Sequence, residues 1–278
     1  MSASTSAPTG VGPKRAIFIT GGGSGIGRAI ATHFGERGWF VGVADIDEQG
    51  MEDTLGLIPG GFKYAHKLDV RDRAAWDVAL DAFSTAAGGR IDVVVNNAGI
   101  GTGGALAELE VEEIDRCLDV NLKGVLYGSQ AAYPHLKKTA PGSAVVHIAS
   151  AAGIIGGTGM SVYSATKFGV RGIAESLAAE WAPDGIKSCS ICPSFIDTPL
   201  LDGTGNRNSN EPVRARVQEA GLEITPVEEV AKTAWDAVHG DDLHYLVGKT
   251  AKQLNFAKRW MPGRVRKQGR ERASLLGK

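Results

Sequence analysis

Cysteine is scarce in this chain, with only Cys117, Cys189 and Cys192 among 278 residues. Three thiols cannot build a disulfide framework, and such sparing use fits a reducing compartment. Cys189 and Cys192 have C-x-x-C spacing, but they lie in the apolar run 186–192, which reads as a strand. Residues three apart on a strand face opposite sides. Neither a redox pair nor a metal pair is therefore expected there, and no metal site is expected elsewhere.

Long apolar runs are also lacking. No stretch reaches the ~18 residues of a membrane span. The N-terminal MSASTSAPTGVGPKR has no apolar core of the kind a signal peptide carries. Residues 1–13 read as a short disordered leader, and the two absences point to a cytoplasmic protein. Net charge is only −1, yet it is unevenly spread. Residues 258–278 hold eight basic side chains and one acid, Glu271, so the rest of the chain carries −8. The basic charge comes with no nucleic-acid recognition motif, so no nucleic-acid partner is expected.

Glycine, in contrast, is plentiful, at 38 residues. Much of it falls in loops after apolar runs, at 20–27 and 99–104, where a bare backbone can approach a ligand. The apolar runs themselves are 16–20, 40–44, 64–68, 91–95, 144–149, 186–192 and 245–247. Amphipathic stretches lie between them at 25–37, 73–87, 111–137 and 162–181. Thr225 and Glu228 have capping-box spacing, with Pro226 at the first helical position of a further helix. Alternating β and α elements predict an α/β fold, a parallel sheet with helices on both faces. No linker divides the chain, so one domain is expected over 14–249.

Two segments carry candidate chemistry. In ITGGGSGIGRAI, directly after the first strand, Gly21, Gly25 and Gly27 follow TGxxxGxG. Such a turn lets backbone approach a pyrophosphate, while the helix N-terminus supplies free N–H groups. Asp45 ends the second strand eighteen residues past Gly27, where an acid takes the ribose hydroxyls. A carboxylate there repels a 2′-phosphate and favours NAD over NADP; the nearest basic residue is Arg28. Asp45 or Asp47 could instead cap the next helix. In SVYSATKFG, Tyr163 and Lys167 stand four apart on a helix whose apolar positions are Val162, Ala165, Phe168, Ile173, Leu177 and Trp181. An ammonium roughly 5 Å away, at an effective dielectric of about 20, favours the phenolate by about 3 kcal/mol, or about two pKa units. The hydroxyl could then work as a general acid or base near neutral pH. Alone, the pair reads first as neighbours on a solvated face.

Taken with Asn96-Asn97-Ala98-Gly99, Asn121 and Ser150, these motifs resemble the classical short-chain dehydrogenase/reductase family, over roughly residues 14–248. The resemblance implies a doubly wound Rossmann fold with seven parallel strands ordered 3-2-1-4-5-6-7, in a homodimer or homotetramer. It implies Tyr163 as acid/base, Lys167 as its pKa-lowering partner, Ser150 orienting the substrate oxygen and Asn121 anchoring a relay water. Cofactor contacts are implied at Gly21, Ser24, Gly25, Ile26, Gly27, Asp45, Asp69 and Val70. Others follow from Asn96, Asn97, Ala98 and Gly99, and from Pro193, Ile196 and Thr198 after the sixth strand. Ser194 stands where the family usually has glycine, which bears on local backbone shape and substrate fit.

The implied reaction is hydride transfer between NAD(H) and a secondary alcohol or ketone. The small apolar segment 151–159 suggests room for a hydrophobic group. An NADPH-dependent carbonyl reductase and a non-catalytic NAD(H) sensor are the alternatives. Segment 194–224 is polar and reads as a substrate loop. Beyond it, Thr250 and Gln253 could cap a helix to Met261, with Leu254, Ala257, Trp260 and Met261 on one face. A basic amphipathic helix can lie on an anionic membrane. Packing against a neighbouring subunit or over the active site is the favoured expectation, with loose final residues.

Overall fold

The computed structural model describes residues 14–203, 207 and 210–273. The expected leader, 1–13, and the final residues, 274–278, lie outside them. Seven strands form one sheet in the order β3-β2-β1-β4-β5-β6-β7. They are β1 Ala16–Thr20, β2 Phe40–Asp45, β3 Lys63–Lys67, β4 Val93–Asn96, β5 Ser143–Ile148, β6 Ile186–Pro193 and β7 His244–Val247. Every neighbouring pair is parallel. This is the expected Rossmann-type arrangement, with strand ends displaced by one or two residues.

Period-two alternation sorts the strand side chains between two layers. Ile17, Ile19, Val41, Val43, Val93 and Val95 enter one cluster. Helices α1 (Gly25–Gly35) and α8 (Val227–His239) cover it with Ile30, Phe34, Val230 and Ala234. Phe18, Val94 and Val145 enter the other. Helices α3 (Arg73–Ala86) and α5 (Gly124–Thr139) close it with Trp76, Leu80, Phe83 and Leu136. A Cβ on Gly42 would come within 2.6 Å of the Phe83 ring, so glycine in β2 is what admits the Phe18–Phe83 contact. Cys189 lies in the first cluster and Cys192 in a third one beside Ala251, so the C-x-x-C thiols do face opposite sides.

Several local expectations are corrected. The stretch 111–137 is not one helix. It splits into α4 (Val111–Leu118), a π-helical turn (Asp119–Lys123) and α5. Thr225 does not cap α8: that helix starts at Val227 with no side-chain cap, and the Thr225 hydroxyl is buried without a partner. The Thr225 backbone is instead spent on a bridge to Ile196, which fixes it outside the helix. Helix α2 (Glu48–Leu57) is capped by Asp47, which accepts from Gly50 N. Helix α6 (Ser161–Glu180) turns Val162, Thr166, Lys167, Val170 and Ala174 inward and leaves Ala165 and Phe168 outside. Its inner face is small and partly polar because it meets the site.

The 194–224 segment contains a 3-10 turn, Pro199–Leu201, and helix α7 (Val213–Glu219); residues 204–206, 208 and 209 lie outside the description. After β7 the chain runs through α9 (Lys249–Trp260) and α10 (Pro262–Ala273). No side chain caps α9, so Thr250 and Gln253 do not serve as its caps. Trp260 leaves the expected apolar face and is 64% exposed. The chain stays helical past Met261 as far as Ala273, and the final residues expected to be loose lie outside the described residues.

Candidate active site

A cleft of about 560 Å³ opens where strand order reverses between β1 and β4, at the carboxyl ends of the strands. Open α/β sheets bind ligands at such a switch point. Gly21, Ser24, Gly25 and Ile26 line it after β1, Asp45 after β2, and Asp69 and Val70 after β3. Asn97, Ala98 and Gly99 line it after β4, Ser150 after β5, and Pro193, Ile196 and Thr198 at and after β6. Tyr163 and Lys167 close it from α6.

The glycine turn is built for close approach. Gly21 and Gly25 have φ of 64° and 49°, values that disfavour a side chain. A Cβ on Gly25 would sit 3.2 Å from Thr198 Cγ2, filling the gap between α1 and the β6 loop. Ser24 precedes α1 without capping it, so the first-turn N–H groups gain no side-chain partner. Gly27 departs from expectation, for it is buried outside the cleft lining. Its missing Cβ would lie 2.1 Å from the Gly21 carbonyl oxygen, so this glycine seats α1 against the turn rather than touching a ligand. Thr20, unflagged although inside the motif, ties the two glycine-bearing loops. Its hydroxyl accepts from Asn97 N and Ala98 N, both at 3.2 Å.

At the far end, the Asp45 carboxylate accepts from Gly23 N at 2.9 Å and Asp47 N at 3.1 Å and still faces the cleft. Arg28, the nearest cation in sequence, turns away: Nε donates to Thr54 Oγ1 at 3.0 Å and Nη2 to Gly50 O at 3.3 Å. Asp69 is paired with Arg71 at 2.6 Å, which holds its carboxyl below the ordinary range. Asn96 does not line the cleft. Its amide points into a buried network with Ser129 and His147, where burial takes the imidazole down to about 3.

Around Tyr163 the groups converge. Ser150 lines the cleft beside Tyr163 and acts to lower its pKa, and Ser150 Oγ accepts from Ala152 N at 3.1 Å. Lys167 is 5% exposed, donates to Ile148 O at 2.9 Å, and lies 5.6 Å from the Tyr163 ring centre. Burial pushes the Tyr163 phenol above its ordinary value, and the neighbouring Ser150 hydroxyl pulls the other way. Burial also takes the Lys167 ammonium down to about 8. The expected lowering of Tyr163 by its lysine is not found in the protein alone, where burial is the largest influence on each group.

Asn121 sits in the π-helical turn, behind the cleft wall. Its amide donates to Ile100 O and accepts from Ile100 N, each at 2.8 Å, and contacts Cys117 Sγ at 3.5 Å. Gly99 makes that approach feasible: a Cβ there would stand 3.3 Å from Asn121 Oδ1 and 3.6 Å from Lys167 Nζ. Ser194 adopts no left-handed backbone. Its buried hydroxyl occupies room left by Gly248, whose φ is 85° and whose Cβ would meet it at 2.2 Å. Cleft residues that the motifs did not flag include Ile46, Arg116, Leu200 and Leu201. Among the described residues, no three His, Cys, Asp or Glu side chains gather as a metal site.

A doubly wound sheet with a glycine turn at its switch point and a Ser–Tyr–Lys group beside it defines a nucleotide-dependent oxidoreductase. The chain belongs to the short chain dehydrogenase family, whose model matches residues 15–209. Meso-2,3-butanediol dehydrogenase of Serratia marcescens is 32% identical over 190 residues, 68% of this chain and 74% of that one. The 3-alpha-(or 20-beta)-hydroxysteroid dehydrogenase of Mycobacterium bovis is 38% identical over 189 residues, 68% of this chain and 71% of that one. The structure of 3-ketoacyl-(acyl-carrier-protein) reductase from Brucella melitensis, complexed with NADH, superposes with a TM-score of 0.75 at 28% identity. That match covers 84% of this chain and 96% of that one. The protein is an oxidoreductase of the alcohol/ketone class.

Proposed function

We propose that the chain transfers a hydride between NAD(H) and a secondary alcohol or its ketone, with Tyr163 moving the proton. The observation that carries this is the convergence of Ser150, Tyr163 and buried Lys167 inside the cleft that Asp45 closes at its other end. The residues present suit a dinucleotide. Side-chain-free Gly21 and Gly25 and the uncapped start of α1 suit a pyrophosphate, and Asp45 suits two ribose hydroxyls. When bound, the nicotinamide takes or returns the hydride, and its oxidised form adds a positive charge.

The other steps belong to this chain. Ser150 orients the substrate oxygen through its hydroxyl. Tyr163, held protonated by burial, gives its proton to a ketone oxygen as reduction proceeds, or takes one from an alcohol in reverse. Lys167 stabilises the phenolate left behind and is held in place by Ile148 O. Asn121 fixes Ile100 behind it and is the proposed anchor for a relay water. Asp45 opposes a 2′-phosphate, and Arg28 is already engaged elsewhere, which favours NAD.

Leu200, Leu201, Ile100 and Pro199 give the substrate end an apolar wall, which favours a hydrophobic ketone. The relatives act by name on substrates as different as a small diol and a steroid, so the wall, not their names, carries this choice. We place the catalytic unit in one domain, 14–249, acting in the cytoplasm as a homodimer or homotetramer; light scattering reads the assembly.

The test is absorbance of the reduced nicotinamide with NAD⁺ or NADP⁺ and a panel of secondary alcohols, beside Tyr163→Phe. Signal with NAD⁺ that the variant loses is expected. Turnover only with NADP⁺ would assign a carbonyl reductase. NADH binding without turnover of any alcohol or ketone would assign a sensor.

A further inference from the structure

Helices α9 and α10 carry a surface that the oxidoreductase site does not use. Their inner side is accounted for: Ala251 is buried, Leu254, Ala257, Met261 and Val265 are half-buried, and Leu254 packs on the Ala151–Ile154 region. Thr158 Oγ1 donates to Gly269 O at 3.2 Å, tying α10 to the loop beside the substrate end. The outer side differs. Phe256 and Trp260, one turn apart, are 58% and 64% exposed. Lys249, Lys252 and Arg259 share that side of α9 by helical spacing.

Residues 249–273 hold nine basic side chains against one acid, a net +8, while the remaining chain carries −9. Lys252, Arg259, Arg264, Arg266 and Arg270 make no ion pair among the described residues; Lys267 has Glu271 at 4.0 Å. A ring of cations around an exposed aromatic pair matches anionic headgroups over an acyl boundary. Trp and Phe favour that depth, and each cation is attracted to the lipid charge.

A second copy is a poorer occupant, because a two-fold contact would set this +8 face against itself. Nucleic acid would satisfy the cations and leave the aromatic pair without a defined partner. Among the described residues no helix is long and apolar enough to cross a membrane, so the contact is at the surface.

We propose that the outer face of α9–α10 docks the protein on a bilayer containing anionic phospholipid, next to the substrate end of the cleft. The full chain is sedimented with phosphatidylcholine vesicles, with and without phosphatidylglycerol. Binding only to the anionic vesicles, weakened by salt, is expected. Phe256→Ala/Trp260→Ala should lower the partition at least ~10-fold. Neutralising Lys252, Arg259, Arg264 and Lys267 to Gln should lower it on the order of 100-fold. All six side chains are exposed, and circular dichroism melting of both variants checks that they fold.

Equal sedimentation with both vesicle types, or unchanged partition in folded variants, overturns the proposal. So does an oligomer that falls apart in the aromatic variant while the parent ignores vesicles, which would assign the face to a second copy. RNA binding by a chain that shows no salt-sensitive binding to the anionic vesicles also overturns it.

Discussion

Replacing Lys167 with methionine should make the protein more stable while crippling it. The lysine is 5% exposed and its ammonium is taken from 10.5 to about 8 by burial. That depression costs the folded state about 3 kcal/mol near neutral pH. Methionine removes the charge and keeps similar volume. It also removes the donor to Ile148 O, a loss of about 1–2 kcal/mol. The net gain near neutral pH is about 1–2 kcal/mol.

The pH dependence gives the sharper test. Unfolded lysine holds its proton up to about 10.5, and the folded one releases it near 8. Between these values the unfolded chain binds more protons, so wild-type stability rises with pH there. The methionine variant lacks that rise. Its lead should be constant below pH 8, shrink above it, reverse near about pH 9, and level off beyond about pH 10.5, where only the lost hydrogen bond remains. Urea unfolding of the two chains at matched pH reads the difference, and groups they share cancel. A variant less stable at neutral pH, with a gap that pH does not change, would refute the desolvation account. Lys167 would then be a charge repaid by its surroundings.

Further outcomes follow from the same geometry. Gly248→Ala places a side chain at φ 85° and 2.2 Å from Ser194 Oγ, and should cost about 3 kcal/mol in chemical unfolding. Adding Ser194→Gly should recover part of it, and full additivity would break the link between the two positions. Asp45→Ser should shift the NADP⁺/NAD⁺ ratio of kcat/KM about 10-fold toward NADP⁺; an unchanged ratio would remove Asp45 from the ribose site. Because burial raises Tyr163, alcohol oxidation should gain rate with rising pH while ketone reduction holds until the phenol ionises. Parallel profiles in the two directions would exclude Tyr163 as the proton carrier.

The parts of this molecule legible in sequence are those in which one residue answers one demand. β1 reads as a strand because Ala16 to Thr20 are apolar and end at a glycine turn, and it is found at those bounds. Tyr163 and Lys167 meet because four residues make one helical turn. Longer-range compromises were not legible. A helical pattern over 111–137 continues smoothly through Asn121, and only the bonds to Ile100, contributed from the β4 loop, reveal why a π-helical turn interrupts it. Thr225 looks like a cap because its spacing fits, yet its backbone forms an isolated bridge with Ile196. Phe168 looked like core because it is apolar, yet α6 turns small and polar residues inward.

The same distinction separates the two ends of the cleft. The cofactor end is defined by missing side chains: at Gly21, Gly25 and Gly27 any Cβ would strike backbone or fill the gap to Thr198. Such positions tolerate one residue type, so a motif can report them. The substrate end is made of Leu200, Leu201, Ile100 and Ser194. Each of these is one choice among many of similar volume, and the room for Ser194 depends on a glycine 54 positions away in sequence. A short motif can therefore name the chemistry, while the substrate depends on how distant loops share space around Ser194.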